Sequence, residues 1–304
     1  MIKNNWTTDD IPNQKGKIIL ITGANSGLGL EASRVLSQKE ATVIMAVRKL
    51  ENGKAAIEKI RNENPTANVE LMQLDLSDLD SISKFSEEFH SKYTQLNALL
   101  NNAGVMFPPK REETKQGFEI QFGVNHLGHF ALTGLLLDLL KKTPHSRVVT
   151  QSSIGHKVAV DINFDNLNFE KSYSKMKAYA QSKLANLLFT YELDRKFKAH
   201  NIDAMAVACH PGVSSTSLFR SSGAFIDSLS SLFGQKPEMG TLPILRATTE
   251  QEGLVGAEYF GPTKVMESRG YPELTKSNKA SYNPKLANEL WSVSEKLTGV
   301  TYNF

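Results

Sequence analysis

The sequence predicts an α/β fold: a doubly wound, mainly parallel seven-stranded sheet with helices on both faces, built as a single domain over residues 1–304. Two observations carry this expectation. Short β-branched runs alternate with longer amphipathic runs along the chain, and such alternation favours a parallel sheet covered on both sides. A glycine-rich turn also stands directly between the first strand pattern and the first helical pattern.

The strand patterns fall at residues 17–22, 42–47, 69–74, 98–101, 147–152, 204–209 and 257–260. Helical spacing of apolar residues covers 27–39, 50–62, 79–93, 119–141 and 179–200. Two stretches break the alternation. Residues 156–177 are rich in Asn, Asp, Ser and Lys, and residues 214–241 mix Ser and Gly with Phe219, Phe225, Leu229, Leu232 and Phe233. A long Ser/Gly-rich loop that carries aromatics reads as a lid over a ligand. Beyond it, residues from about 262 to 304 form a C-terminal extension.

Composition narrows the function classes. Lys+Arg number 35 against Asp+Glu 32, a net charge of +3 without any block of like charge. That balance argues against nucleic acid as a partner. No run reaches the roughly 20 uninterrupted apolar residues of a membrane span. The apolar stretch 130–140 holds Thr133, Gly134 and Asp138 and reads as a buried helix. The lone cysteine, Cys209, fits a buried small hydrophobe at a strand end in a reducing compartment. A cytoplasmic location is expected.

The glycine turn reads Thr22-Gly23-Ala24-Asn25-Ser26-Gly27-Leu28-Gly29. Glycines there permit a tight turn and let a pyrophosphate approach the backbone, while the next helix aims its unpaired N–H groups at the anion. The expectation is a dinucleotide held in a Rossmann-type domain, with Gly23, Asn25, Ser26, Gly27, Leu28 and Gly29 lining its phosphates. The second strand ends Met45-Ala46-Val47-Arg48, with no carboxylate for a ribose 2′-hydroxyl. Arg48 can instead pair with a 2′-phosphate, so NADP(H) is preferred over a still possible NAD(H). Asp75, followed by Leu76, either bonds the adenine amino group or caps a helix. Asn102, Ala103 and Gly104 close the fourth strand with small residues against which a nucleoside can lie.

Tyr179 and Lys183 stand one helical turn apart, so phenol and ammonium share a face and can address one bound molecule. His126 and His129 are three apart, yet no third ligand lies nearby, and no metal is expected.

With the glycine turn, Asn101-Asn102-Ala103-Gly104, Tyr179/Lys183 and Pro211-Gly212 in this order, the chain resembles the short-chain dehydrogenase/reductase superfamily over nearly its whole length. Asn125-His126-Leu127-Gly128-His129-Phe130, Ser182-Lys183-Leu184-Ala185-Asn186, His210-Pro211-Gly212-Val213 and Arg269-Gly270-Tyr271-Pro272 look like its retinol-dehydrogenase and WW-domain-oxidoreductase branch. The resemblance implies an enzyme that interconverts a carbonyl and an alcohol. Tyr179 would be the general acid or base, its pKa lowered by the Lys183 ammonium with help from the positive charge of the oxidised cofactor, and Lys183 would also bond the nicotinamide ribose. Ser153, rather than its neighbour Ser152, would hold the substrate oxygen, and Asn125 would position a water leading to Lys183. Leu76, Pro211, Gly212, Val213 and Thr216 would touch the cofactor. The lid aromatics suggest an apolar substrate. The rival expectation is a protein that binds NADP(H) as a sensor or scaffold without turnover. Members of the family it resembles often form homodimers or homotetramers through the helices around Phe130 and Tyr179.

Overall fold

The strands are β1 (Ile18–Thr22), β2 (Thr42–Val47), β3 (Val69–Gln73), β4 (Ala98–Asn101), β5 (Ser146–Gln151), β6 (Ala204–Cys209), β7 (Tyr259–Lys264) and β8 (Arg269–Leu274). In this computed structural model, which describes residues 3–212 and 235–304, they form one sheet in the order β3-β2-β1-β4-β5-β6-β7-β8. Pairs from β3 through β7 are parallel, and β8 runs antiparallel to β7. The eighth strand was not anticipated, because Gly270 and Pro272 disguise it. An edge strand tolerates a proline, since one of its sides makes no ladder bonds.

Helices α1 (Gly27–Gln38), α2 (Leu50–Glu63), α3 (Leu79–Lys92), α4 (Gly128–Leu135), α5 (Leu137–Lys142), α6 (Lys175–Ala199), α7 (Pro237–Thr249) and α8 (Pro284–Thr298) cover the sheet. Successive strand residues point to opposite faces. Thus Ile19 and Ile21 pack with Val35 and Leu36 of α1 and Leu245 of α7. Leu20 between them joins Phe85, Phe130, Phe189 and Trp291 on the other side. No helix among the described residues is long and apolar enough to cross a membrane.

Three departures from expectation matter for the site. The helical pattern over 119–141 is broken into a turn at Ile120–Phe122, a π-helical turn at Gly123–Leu127, then α4 and α5. There the Gly128 N–H reaches back to the Gly123 carbonyl, five residues earlier. Second, α6 starts at Lys175, ahead of Tyr179, where the Ser174 hydroxyl caps the Lys177 N–H. Third, residues 237–241, read as the end of the lid, form the first turn of α7. The rest of the proposed lid, up to residue 234, lies outside the described residues.

One side of α6 and part of α4 pack against α8 within the chain. Leu286, Ala287 and Leu290 of α8 pack on Leu184, Ala185 and Leu188 of α6. Trp291 stands edge-on to Phe130, with ring centroids 5.2 Å apart.

Candidate active site

The sheet order reverses between β1 and β4, the place where doubly wound sheets bind ligands beyond their carboxyl ends. A cleft of about 550 Å³ opens there. Gly23, Asn25, Ser26, Gly27, Leu28, Gly29, Arg48, Asp75, Leu76, Asn102, Ala103 and Gly104 all line it. Gly23 and Gly27 have φ of +66° and +54°, a region that side chains disfavour. A Cβ on Gly29 would come within 2.5 Å of the Gly23 carbonyl oxygen and 2.6 Å of Asn102 Nδ2. Ser26 precedes α1 without a side-chain capping bond, so the first N–H groups of that helix remain available to an anion. This cradle fits a dinucleotide pyrophosphate.

At the far end of the cleft, the exposed Arg48 side chain makes no ion pair among the described residues. Asp75 is not the cap of α3. Asp78 holds that position, accepting from the Asp80 N–H, while Asp75 Oδ1 accepts from the Ser77 N–H and hydroxyl at 2.9 and 2.6 Å. Its Oδ2 makes no hydrogen bond among the described residues.

Thr22 is a hub that the sequence reading did not single out. Its Oγ1 accepts the N–H groups of Asn102 and Ala103, both at 3.0 Å, and lies 2.8 Å from His129 Nε2. The Thr22 hydroxyl also donates toward the Leu100 carbonyl at 3.3 Å, and the His129 Nδ1–H donates to the Asn125 carbonyl at 3.1 Å. Burial pushes the pKa of this imidazole down to about 4, keeping it neutral. His126 instead meets Ser294 at 2.9 Å. The two histidines thus address separate partners.

The catalytic candidates gather where β5 and α6 meet. Ser152 is buried and donates to the Lys183 carbonyl at 2.9 Å. Ser153 opens the turn Ile154–Val158, its Oγ accepting the Gly155 N–H at 3.1 Å, which leaves its proton free to donate. That hydroxyl neighbours the Tyr179 phenol and opposes the rise in pKa that burial imposes on it. The phenol lies above its ordinary value, because desolvation outweighs the hydrogen bond. Lys183 Nζ lies 5.7 Å from the Tyr179 ring centroid and donates to the Gln151 carbonyl at 3.1 Å. Burial brings its own pKa down to about 8.

Asn125, in the π-turn, is a clamp. Its Nδ2 donates to the Val105 carbonyl and to Ser182 Oγ, both at 3.0 Å, and its Oδ1 accepts the Val105 N–H at 2.7 Å. Both amide protons are therefore committed within the protein. A Cβ on Gly104 would meet Asn125 Oδ1 at 3.2 Å and Lys183 Nζ at 3.6 Å, so a small residue keeps the cleft and α6 in touch. Phe107 went unnoticed in the sequence. It holds φ at +55°, and its ring meets that of Tyr179 edge-on at 5.1 Å. No local pattern marks such a residue, because its partner comes from a distant helix. Gly212 has φ of +70° and Pro211 accepts from Gln235 at 2.8 Å. Val213 and Thr216 lie outside the described residues.

A nucleotide cradle joined to a Ser/Tyr/Lys cluster at the end of a doubly wound sheet defines a nicotinamide-dependent oxidoreductase. The short chain dehydrogenase model matches residues 17–226, and the chain belongs to that family, in its retinol dehydrogenase-like branch. It is 40% identical to retinol dehydrogenase 12 of Mus musculus, an alignment spanning 94% of this chain and 88% of the relative. It is 38% identical to polyprenol dehydrogenase of Homo sapiens, over 95% and 87%. A crystal structure of an uncharacterized protein from Mycobacterium paratuberculosis superposes with a TM-score of 0.83 at 36% identity, covering 99% of this chain and all of that one. The protein is accordingly an enzyme acting on CH–OH and C=O groups of small molecules with NAD(P).

Proposed function

We propose that this enzyme prefers NADP(H) and interconverts an apolar alcohol with its aldehyde or ketone, using Tyr179 as the proton donor and acceptor. The observation that carries the reading is the convergence of Ser153, Tyr179 and Lys183 beside a cleft whose other end presents Arg48, without an ion-pair partner among the described residues. The names of the relatives, retinol and polyprenol dehydrogenases, support an apolar substrate. A sensor that only binds NADP(H) would need the glycine cradle but leave the gathered Ser153 and Tyr179 without purpose.

The bound nicotinamide supplies or accepts the hydride. Ser153 donates its free proton to the substrate oxygen and stabilises the charge that develops there. Tyr179 delivers a proton to that oxygen in reduction and removes it in oxidation. Lys183 holds the ribose and places positive charge beside the phenol. Asn125 and Thr22 fix the backbone between cradle and catalytic helix.

Arg48 and Gly29 provide separate tests of cofactor binding. Replacing Arg48 by Asp removes a charge-assisted bond of about 1.5–3 kcal/mol. The KM for NADPH should therefore rise roughly 10- to 100-fold while that for NADH changes little. Equal effects on both cofactors in steady-state assays would remove Arg48 from the 2′-phosphate. Gly29→Ala forces a methyl onto the Gly23 carbonyl and Asn102. Overpacking of about 1–3 kcal/mol should weaken both cofactors alike in a fluorescence titration, and unchanged affinity would show that the turn is not the cradle.

A further inference from the structure

We propose that His156 and Asn278 are positioning residues that aim the Ser153 hydroxyl at Tyr179, with the loop before α8 acting through the His156 ring. The proposal rests on the reading that Ser153 and Tyr179 work together on the substrate oxygen.

Ser153 and Tyr179 arrive on different elements, one at the exit of β5 and one on α6, so something must fix their relative position. The Ser153 carbonyl accepts two bonds from His156, one from its backbone N–H at 3.0 Å and one from its Nδ1–H at 2.6 Å. With the proton on Nδ1, Nε2 carries a lone pair, and that lone pair accepts the Asn278 N–H at 3.1 Å. Asn278 also donates its side-chain amide to the carbonyls of His156 at 3.0 Å and Ala159 at 2.6 Å. The turn bearing Ser153 is thus held from both ends by one asparagine.

Asn278 is itself anchored to α6. The neighbouring Ser277 hydroxyl lies 2.9 Å from Tyr191 Oη, and the Tyr191 and Tyr282 rings stack with centroids 5.1 Å apart. Tyr191 sits on the same helix as Tyr179. The path from Tyr179 along α6 to Tyr191, across Ser277 and Asn278, and through His156 to Ser153 is a closed loop of rigid pieces. Preorganisation of this kind keeps reacting groups within the narrow range that proton transfer demands.

His156 is fully buried. It is faced by Tyr259 of β7, whose hydroxyl lies 3.5 Å from Nδ1, by His210 after β6, and by the Lys157–Glu267 ion pair. Desolvation and Lys157 lower its pKa against the opposing pull of the Ser153 carbonyl and Glu267, so the ring is neutral, as the lone pair on Nε2 requires. Tyr179 is faced by Ser153, by Lys183 and by the uncharged Phe107.

The experiment follows the pH at which the Tyr179 phenol ionises, by NMR of ring-labelled tyrosine with the Tyr179→Phe protein assigning the signal. A donor to the phenolate favours ionisation, so Ser153→Ala should move the midpoint up and sets the scale. His156→Gln, whose amide reaches the Nε2 position but not Nδ1, should produce a comparable upward shift. His156→Asn, whose amide can still donate to the Ser153 carbonyl but no longer accepts the Asn278 N–H, should shift the midpoint upward by less than His156→Gln. Asn278→Ala, which keeps the backbone donor but loses both side-chain bonds, should fall between them and serves if His156→Gln does not fold. A purely structural role would lower the melting temperature without moving the midpoint. Unshifted midpoints in His156→Gln and Asn278→Ala, beside a shifted Ser153→Ala, overturn the proposal alone. An unshifted Ser153→Ala overturns the Ser153–Tyr179 reading, and the proposal with it.

Discussion

Tyr179→Phe should lower kcat for carbonyl reduction with NADPH by about 10²- to 10⁴-fold, the usual worth of a positioned general acid. Only the hydroxyl is lost; the ring keeps its edge-on contact with Phe107 and its place above Lys183, so NADPH affinity should not change. Burial holds the phenol above its ordinary pKa, which leaves it protonated and ready to donate at neutral pH. Alcohol oxidation needs the ionised form, so its rate should climb with pH through the alkaline range while reduction falls. Single-turnover oxidation of NADPH with a panel of apolar aldehydes, read by absorbance, checks the first effect. Near wild-type turnover in the variant would end the assignment of Tyr179.

The largest effect on stability is expected from Phe130→Ala, at about 3–5 kcal/mol. Phe130 has no exposed surface, and its ring touches Phe189, Trp291 and Tyr302 at centroid distances of 5.6, 5.2 and 4.8 Å. The Tyr302 hydroxyl also donates to the Phe130 carbonyl at 2.7 Å. Truncation leaves a cavity among large rigid rings that cannot collapse to fill it. Urea unfolding should show a lower midpoint at similar slope; a loss below about 1 kcal/mol would mean that the aromatic cluster relaxes freely.

What the sequence made legible was local. The strands from β1 to β6 fall within a residue or two of their patterns, because buried parallel strands are short apolar runs bounded by turns. The glycine turn and the Tyr179/Lys183 spacing are likewise contained in a few consecutive residues. What it hid was made by tertiary contact. The π-turn holding Asn125 looks like ordinary helix until the Gly128 N–H picks its partner. The burial that raises the Tyr179 phenol and lowers the Lys183 ammonium depends on the assembled interior, which no local pattern displays. Phe107, His156 and Asn278 carry no local signature, since each earns its place from a partner far along the chain.

The packing of α8 over α4 and α6 has one more consequence. A neighbour supplied by the same polypeptide remains at a fixed effective concentration however far the solution is diluted. The backing that α8 gives α6 is therefore unimolecular, and it cannot be titrated away in the way that a subunit dissociates.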